Sequence, residues 1–139
     1  MSSLLSWTGN PPHLDYAGKG ETILIVDDVS EQRQVTGMIL NNMGYTTRTV
    51  ASGEEAVDYL KQNKVDLLLL DMIMEPGMDG LDTYRAVLEI HPHQKAIIVS
   101  GFSETDRIRT AQALGVGAFL KKPYRLEALG MAVRSELDR

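Results

Sequence analysis

The apolar and polar positions of this chain alternate between short apolar runs and longer amphipathic stretches. Runs of about four apolar residues bounded by polar ones are typical of strands that are buried on both faces of a parallel sheet. The predicted strands cover residues 22–26, 45–50, 65–70, 95–99 and 117–120. The second strand is the most polar of these, which predicts that it lies at an edge of the sheet.

The amphipathic stretches predict one helix after each strand. The first helix is predicted over residues 30–43 and ends at Gly44. The face expected to pack on the sheet carries Val35, Met38, Ile39 and Met43. Capping patterns predict the starts of two later helices, at Ser52 with Glu55 and at Ser103 with Asp106. Strict alternation of five strands and five helices predicts an α/β fold with right-handed crossovers and helices on both faces of the sheet.

A length of 139 residues fits one domain. Residues 1–20 are rich in Gly and Pro and have no periodicity, so we interpret them as an irregular N-terminal tail or interdomain linker. Residues 21–139 then form the folded domain.

Composition excludes several classes of function. The chain has no cysteine, so disulfides, thiolate metal sites and Cys nucleophiles are absent. A net charge of -5 without a basic cluster argues against direct binding of nucleic acid. No apolar stretch reaches the roughly 18 residues of a membrane helix, and the N-terminus does not resemble a secretory signal. We therefore expect a cytoplasmic protein without a membrane contact of its own.

Charged residues follow three of the predicted strands directly. Asp27 and Asp28 come after the first strand, Asp71 after four leucines, and Lys122 after the last strand. The carboxyl ends of parallel strands meet at one edge of the sheet, where open α/β folds bind ligands. Two carboxylates about 4 Å apart repel each other by about 4 kcal/mol at an effective dielectric constant of about 20. A hard divalent cation with oxygen ligands, such as Mg²⁺, suits such a cluster.

Four motifs now give the chain a resemblance to a known family. They are LIVDD (24–28), LLLLDMIMEPGMDG (67–80), IIVSG (97–101) and FLKKPY (119–124). In this order and spacing they resemble the CheY-like receiver domain of bacterial two-component response regulators. The resemblance covers about residues 21–138. The resemblance implies a flavodoxin-like fold with five parallel strands in the order 2-1-3-4-5.

The resemblance also implies a chemistry for the charged residues. Asp71 is the implied phosphoacceptor, which takes a phosphoryl group from a phosphohistidine of a histidine kinase or a histidine phosphotransfer domain. Asp27, Asp28, Asp71 and the backbone oxygen of Ile73 are the implied ligands of Mg²⁺ or Mn²⁺.

Further residues follow from the same resemblance. Lys122 and Ser100 are implied to contact phosphoryl oxygens, and Pro123 is implied to follow a cis peptide bond. Ser100 and Phe119 are the implied switch pair, which alters the surface formed by helix four, strand five and helix five. The alternatives are a plain core aromatic for Phe119 and, for Ser100, a strand-end hydroxyl bonded to the backbone.

Other functions and contexts stay open at this point. The loop after Asp71 is one residue longer than the commonest receiver pattern, with Glu75 as the apparent insertion. The motifs resemble receivers attached to hybrid sensor histidine kinases, and a single-domain regulator is the alternative context. A phosphatase that forms an aspartyl phosphate requires a second carboxylate where Ile73 stands. A flavin-binding module requires a polar, uncharged loop after strand one. A docking domain that is never phosphorylated is the last alternative.

Overall fold

The computed structural model of the protein describes residues 17–74, 76–101 and 105–139. The strands are β1 (Thr22–Val26), β2 (Thr46–Val50), β3 (Leu67–Asp71), β4 (Ala96–Ser100) and β5 (Ala118–Lys121). The helices are α1 (Ser30–Asn42), α2 (Gly53–Gln62), α3 (Gly80–Ile90), α4 (Asp106–Leu114) and α5 (Leu126–Leu137). All strand pairs are parallel, in the order β2-β1-β3-β4-β5. The predicted flavodoxin-like fold, its strand order and the edge position of β2 are confirmed.

Alternate residues of the central strands enter two separate cores. Leu68 and Leu70 pack with residues of α2, α3 and α4, whereas Leu67 and Leu69 pack with residues of α1 and α5. These four leucines are at most 3% exposed, and each stabilises the fold by roughly 1.5–3 kcal/mol through its burial. The tightly packed β3 therefore fixes the position of the residue that ends it, Asp71. None of the helices within the described ranges has the length and apolar composition of a transmembrane segment.

Helix α1 packs through a different face from the predicted one. Val35 is 55% exposed and Met38 is 64% exposed, so these two expected core positions are wrong. The buried residues of this helix are Thr36, Gly37 and Leu40. The small residues at 36 and 37 let the helix backbone approach the sheet, and a methyl group at Gly37 would contact Thr47 at 3.7 Å. Ile39 and Met43 do pack against the core, as predicted.

Helix α4 also begins differently from the prediction. Its N-cap is Thr105, whose hydroxyl oxygen accepts a hydrogen bond from the backbone N–H of Ile108 at 3.2 Å. The predicted cap, Ser103, lies outside the described residues. The cap predicted for α2 is present, since Ser52 Oγ accepts from the backbone N–H of Glu55 at 3.1 Å.

The residues just before β1 pack against the domain. Gly18 donates its backbone N–H to the carbonyl of Met43 at 2.6 Å, and Gly20 donates to Gly44 at 3.0 Å. A methyl group at Gly18 would lie 2.6 Å from the backbone of Gly44, so only glycine fits there. Residues 17–20, which the sequence assigns to the tail, are thus in contact with the end of α1.

An arginine on α5 holds the same segment. Arg134 donates to Glu21 Oε2 at 2.7 Å, to Asp138 Oδ1 at 2.9 Å and to the carbonyl of Ala17 at 3.2 Å. Its guanidinium also lies 6.0 Å from the ring centre of Tyr45, within cation–π range. Burial raises the pKa of the Glu21 carboxyl, but hydrogen bonds from Arg134 and Lys19 outweigh it and leave this pKa below its usual value. We call these contacts of Arg134 the N-terminal clamp.

Removing the clamp is expected to destabilise the whole domain. Arg134→Met keeps most of the apolar side chain but leaves the partly buried Glu21 carboxylate without its cation. We expect the free energy of unfolding to fall by about 2 kcal/mol, because breaking a buried charge pair leaves one charge uncompensated. Urea unfolding at neutral pH measures this loss, with the exposed Arg85→Met as the matched control. An equal loss in both variants would show that the clamp contributes nothing.

Candidate functional site

The register of the sheet places the predicted site residues side by side. Val26 of β1 pairs with Leu70 of β3, so Asp27, which follows β1, lies beside Asp71, which ends β3. The same edge of the sheet therefore carries both side chains. The strands end here together, so the two aspartates lie close in space although they are far apart in the sequence.

The other half of the site comes from β4 and β5. Ser100 ends β4 and pairs with Lys121, and the backbone N–H of Lys122 donates to the carbonyl of Ser100 at 2.7 Å. Asp71 pairs with Val99, the residue before Ser100. Four neighbouring strands thus bring the predicted residues to one edge.

Three carboxylates meet at this edge. One oxygen each of Asp27, Asp28 and Asp71 can be chosen so that all lie within 4.8 Å of one another. We call these three residues the acidic cluster. Lys122 Nζ lies 3.5 Å from Asp71 Oδ2 and 3.7 Å from Asp27 Oδ2. The arrangement places the ammonium of Lys122 beside several negative charges.

Local hydrogen bonds orient the first aspartate. Asp27 Oδ1 accepts from the backbone N–H of Val29 at 2.8 Å, and Arg33 donates to the carbonyl of Asp27 at 2.7 Å. The corresponding bond at Asp71 is longer, because Oδ1 lies 3.4 Å from the backbone nitrogen of Ile73. The bond to the backbone N–H therefore orients the Asp71 carboxylate less firmly than that of Asp27.

The electrostatics of Asp71 reflect its crowded surroundings. The pKa of the Asp71 carboxyl is raised to about 6: burial raises it most, the Lys122 ammonium lowers it, and the Asp27 carboxylate raises it. The side chain is only 11% exposed, so water does little to screen these interactions. The protein without a metal therefore holds a carboxylate that is poorly neutralised at neutral pH.

The acidic cluster fits a hard divalent cation. Carboxylate oxygens are the ligands that Mg²⁺ and Mn²⁺ prefer, and Mg²⁺ is held by one or two carboxylates with waters and phosphoryl oxygens. Asp27, Asp28 and Asp71 would supply these oxygens in this chain. A ligand role for the backbone oxygen of Ile73 stays a prediction.

The two residues predicted to form the switch pair end β4 and lie within β5, respectively. Ser100 is buried, with 1% of its surface exposed. Phe119 is half-buried, pairs with Ile98 in the sheet and packs against the core that lies under α3 and α4. The Lys122–Pro123 peptide bond is cis, the isomer that the resemblance implies.

Two features near the site were not predicted from the sequence. Lys122 Nζ donates its shortest hydrogen bond to Gln32 Oε1, at 2.7 Å. Glu54 of α2 reaches the loop after Asp71, where its Oε2 accepts from the backbone N–H of Met78 at 3.1 Å. Both are polar residues at exposed helix positions, and no motif distinguishes them from ordinary surface residues. Glu75, the apparent insertion in this loop, lies outside the described residues.

Replacing Asp71 by asparagine is expected to stabilise the metal-free protein. The pKa of Asp71 rises from 3.8 to about 6 on folding, so the folded state binds more protons than the unfolded state between these values. Stability contributed by this group therefore falls as pH rises through that window, and the full penalty acts above it. At about pH 8, with chelator, we expect Asp71→Asn to raise the free energy of unfolding by about 2 kcal/mol.

Urea unfolding across a pH series tests the effect. The gain is expected to vanish below about pH 3, where Asp71 is protonated in both states. Mg²⁺ is expected to reduce the difference in stability between the two proteins, because it binds the folded wild type more tightly than the variant, which has lost one carboxylate of the acidic cluster. Asp58→Asn is the control, since that side chain is 79% exposed. A gain that does not change with pH would contradict the electrostatic explanation.

Comparison with known proteins gives the family. The chain matches the response regulator receiver domain over residues 23–134. It is 34% identical over 117 residues to sporulation initiation phosphotransferase F of Bacillus subtilis, covering 84% of this chain and 94% of that protein. It is 36% identical over 128 residues to the autoinducer 1 sensor kinase/phosphatase LuxN of Vibrio campbellii, covering 92% of this chain and 15% of that protein.

Solved structures agree with the fold. A CheY-like response regulator receiver domain protein of Methanospirillum hungatei superposes with a TM-score of 0.80 and 26% identity, over 86% of this chain and 95% of that one. The receiver domain of a sensor histidine kinase from Pseudomonas aeruginosa, with magnesium in its active-site cleft, gives a TM-score of 0.77 at 23% identity, over 86% and 99% of the two chains. With the acidic cluster at the carboxyl edge of its sheet, the chain belongs to the family of response regulator receiver domains.

Proposed function

We propose that this protein is a phosphorelay switch in which Asp71 accepts a phosphoryl group from a phosphohistidine. The observation that carries the proposal is the position of Asp71, within the acidic cluster and with Lys122 Nζ 3.5 Å from its Oδ2. A carboxylate between a candidate cation site and an ammonium has the surroundings that phosphoryl transfer requires. The partner that carries the histidine is a histidine kinase or a histidine phosphotransfer domain.

The proposed reaction moves one phosphoryl group between two side chains. A carboxylate oxygen of Asp71 attacks the phosphorus, the new O–P bond forms, and the P–N bond to the partner's imidazole breaks. The electron pair of the P–N bond stays on the imidazole nitrogen. The imidazole leaves neutral if its other nitrogen already carries a proton, and otherwise takes up a proton from solvent. The product is an aspartyl phosphate, so the domain modifies itself and turns over no metabolite.

Residues around Asp71 supply charge and positioning. Mg²⁺ or Mn²⁺ at the acidic cluster would offset negative charge on the carboxylates and on the transferred group. Lys122 would place its ammonium on a phosphoryl oxygen, and Ser100 would donate its hydroxyl to another. The short backbone hydrogen bond between Lys122 and Ser100 supports these two roles, because it keeps both residues at the same edge of the sheet, next to the site.

The same residues would carry the signal away from the site. Ser100 would move toward the phosphoryl group, and Phe119 would turn inward into the space that it leaves. The half-buried state of Phe119 is compatible with such a turn, since the ring is neither fully enclosed nor fully exposed. The changed surface would consist of α4, β5 and α5, where a downstream target would read it.

An apolar groove beside the site supports contact with a histidine-bearing partner. The groove has a volume of about 410 Å³ and runs from Asp71 and Lys122 to a strip between α1 and α5. The strip includes Val35 and Leu126, which are 55% and 52% exposed. A phosphohistidine that reaches Asp71 must approach over this edge, so we propose that the partner covers these apolar side chains.

The wider context of the domain is also a proposal. Similarity to one part of LuxN supports a receiver that belongs to a hybrid sensor histidine kinase. Similarity along nearly all of sporulation initiation phosphotransferase F supports a single-domain regulator. We favour the hybrid kinase, with residues 1–20 as the linker and a cytoplasmic location. The intact mass of the protein isolated from its own cells separates the two contexts.

The proposed chemistry is tested by intact mass after incubation with Mg²⁺ and acetyl phosphate. We expect the wild type to gain one phosphoryl group, and Asp71→Ala to gain none because it lacks the accepting carboxylate. Lys122→Met is expected to react at least tenfold more slowly, because one charged contact to the phosphoryl group is lost.

Asp58→Ala is the control for these variants, since it removes an exposed carboxylate from α2. It should react like the wild type. Absence of any mass gain in the wild type would overturn the proposal and favour a docking domain that works without phosphorylation. A gain that persists in Asp71→Ala would assign the reaction to another residue.

A further inference from the structure

We propose that Gln32 is a positioning residue that holds the Lys122 ammonium away from the acidic cluster. The inference rests on the proposed function, because it concerns how Lys122 is kept ready for the phosphoryl group. It goes beyond that function in assigning a task to a side chain of α1 that has no charge and no motif. Its basis is the set of distances around Lys122 Nζ.

The ammonium is closer to the neutral amide than to either neighbouring carboxylate. Gln32 Oε1 lies 2.7 Å from Lys122 Nζ, whereas the oxygens of Asp71 and Asp27 lie at 3.5 Å and 3.7 Å. The first distance is that of a short charge-assisted hydrogen bond, and the other two are those of ion pairs without close contact. The amide thus draws the ammonium toward α1.

Charge alone would place this ammonium differently. A cation beside several carboxylates is attracted most strongly at direct contact, and burial strengthens this attraction. The side chains of Asp27 and Asp71 are each only 11% exposed, so they attract an ammonium strongly. An ammonium in direct contact would cover the carboxylate oxygen that Asp71 must present to a cation and to phosphorus. The amide of Gln32 prevents this by offering a closer acceptor outside the acidic cluster.

The geometry of α1 makes the contact possible. Val29 is the N-cap of α1, and Gln32 lies in the first turn. The neighbouring Arg33 donates to the carbonyl of Asp27 at 2.7 Å, which fixes this turn against the acidic cluster. Gln32 therefore projects from a held backbone, whereas Gln34 is an exposed glutamine elsewhere on the same helix.

A double-mutant cycle on Mg²⁺ binding tests the inference. The dissociation constant is measured by calorimetry for the wild type, Gln32→Leu, Lys122→Met and the double variant. Without its acceptor, the ammonium is expected to move onto the carboxylates and compete with the cation. We expect Gln32→Leu to weaken Mg²⁺ binding roughly three- to tenfold in the presence of Lys122, and less than about twofold in Lys122→Met.

Two further variants separate positioning from a general effect on the helix. Gln32→Glu keeps an acceptor at the same place and adds a negative charge, so Mg²⁺ binding should be at least as tight as in the wild type. Gln34→Leu makes the same chemical change elsewhere on α1 and should leave the dissociation constant within about twofold. Equal weakening by Gln32→Leu with and without Lys122, or no weakening at all, would overturn the inference.

A measurement on the metal-free protein separates this inference from the proposed function. In chelator, the NMR resonance of Lys122 Nζ, identified by its loss in Lys122→Met, should shift in Gln32→Leu and stay in place in Gln34→Leu. An unshifted resonance in Gln32→Leu would show that the amide does not hold the ammonium, and would overturn the inference. Because this readout needs neither Mg²⁺ nor phosphorylation, it stands even if the proposed chemistry fails.

Discussion

Mutual repulsion among the carboxylates of Asp27, Asp28 and Asp71 is the constraint on which this structure depends. Like charges at such distances cost several kcal/mol when little water screens them. The fold keeps them together because the packing of β1 and β3 leaves their end residues no other place. The repulsion among these carboxylates thus offsets part of the stability that the two leucine-rich cores provide. A bound cation would relieve this repulsion in full.

Within the described part of the site, the Lys122 ammonium offsets this negative charge only in part. Lys122 is near enough to attract Asp71 and Asp27, yet it makes its shortest contact with the amide of Gln32. Full neutralisation by a lysine would close the site to any other cation. An acidic cluster that is left partly unbalanced is therefore a condition for binding a metal and a phosphoryl group.

The sequence predicts the parts of this structure that depend on burial of whole strands. Four leucines in succession leave no exposed face, so β3 and the position of Asp71 at its end follow directly. The packing face of α1 is harder to predict from sequence. Val35 and Met38 have the spacing of a core face, but the small residues Thr36 and Gly37 are the ones that approach the sheet. The contact of Gln32 depends on side-chain geometry across 90 positions, for which a single sequence carries no signal.

The N-terminal clamp has a consequence for how this domain is attached to anything else. Arg134 joins the residues before β1 to the end of α5, and Lys95, which precedes β4, donates to the carbonyl of Leu137 at 2.9 Å. Both ends of the folded unit therefore leave from the side where the strands begin. A strand of five residues spans roughly 16 Å, so a fluorophore, surface or fused domain attached next to Ala17 or Arg139 begins about that far from Asp71, at the opposite end of the sheet from the acidic cluster.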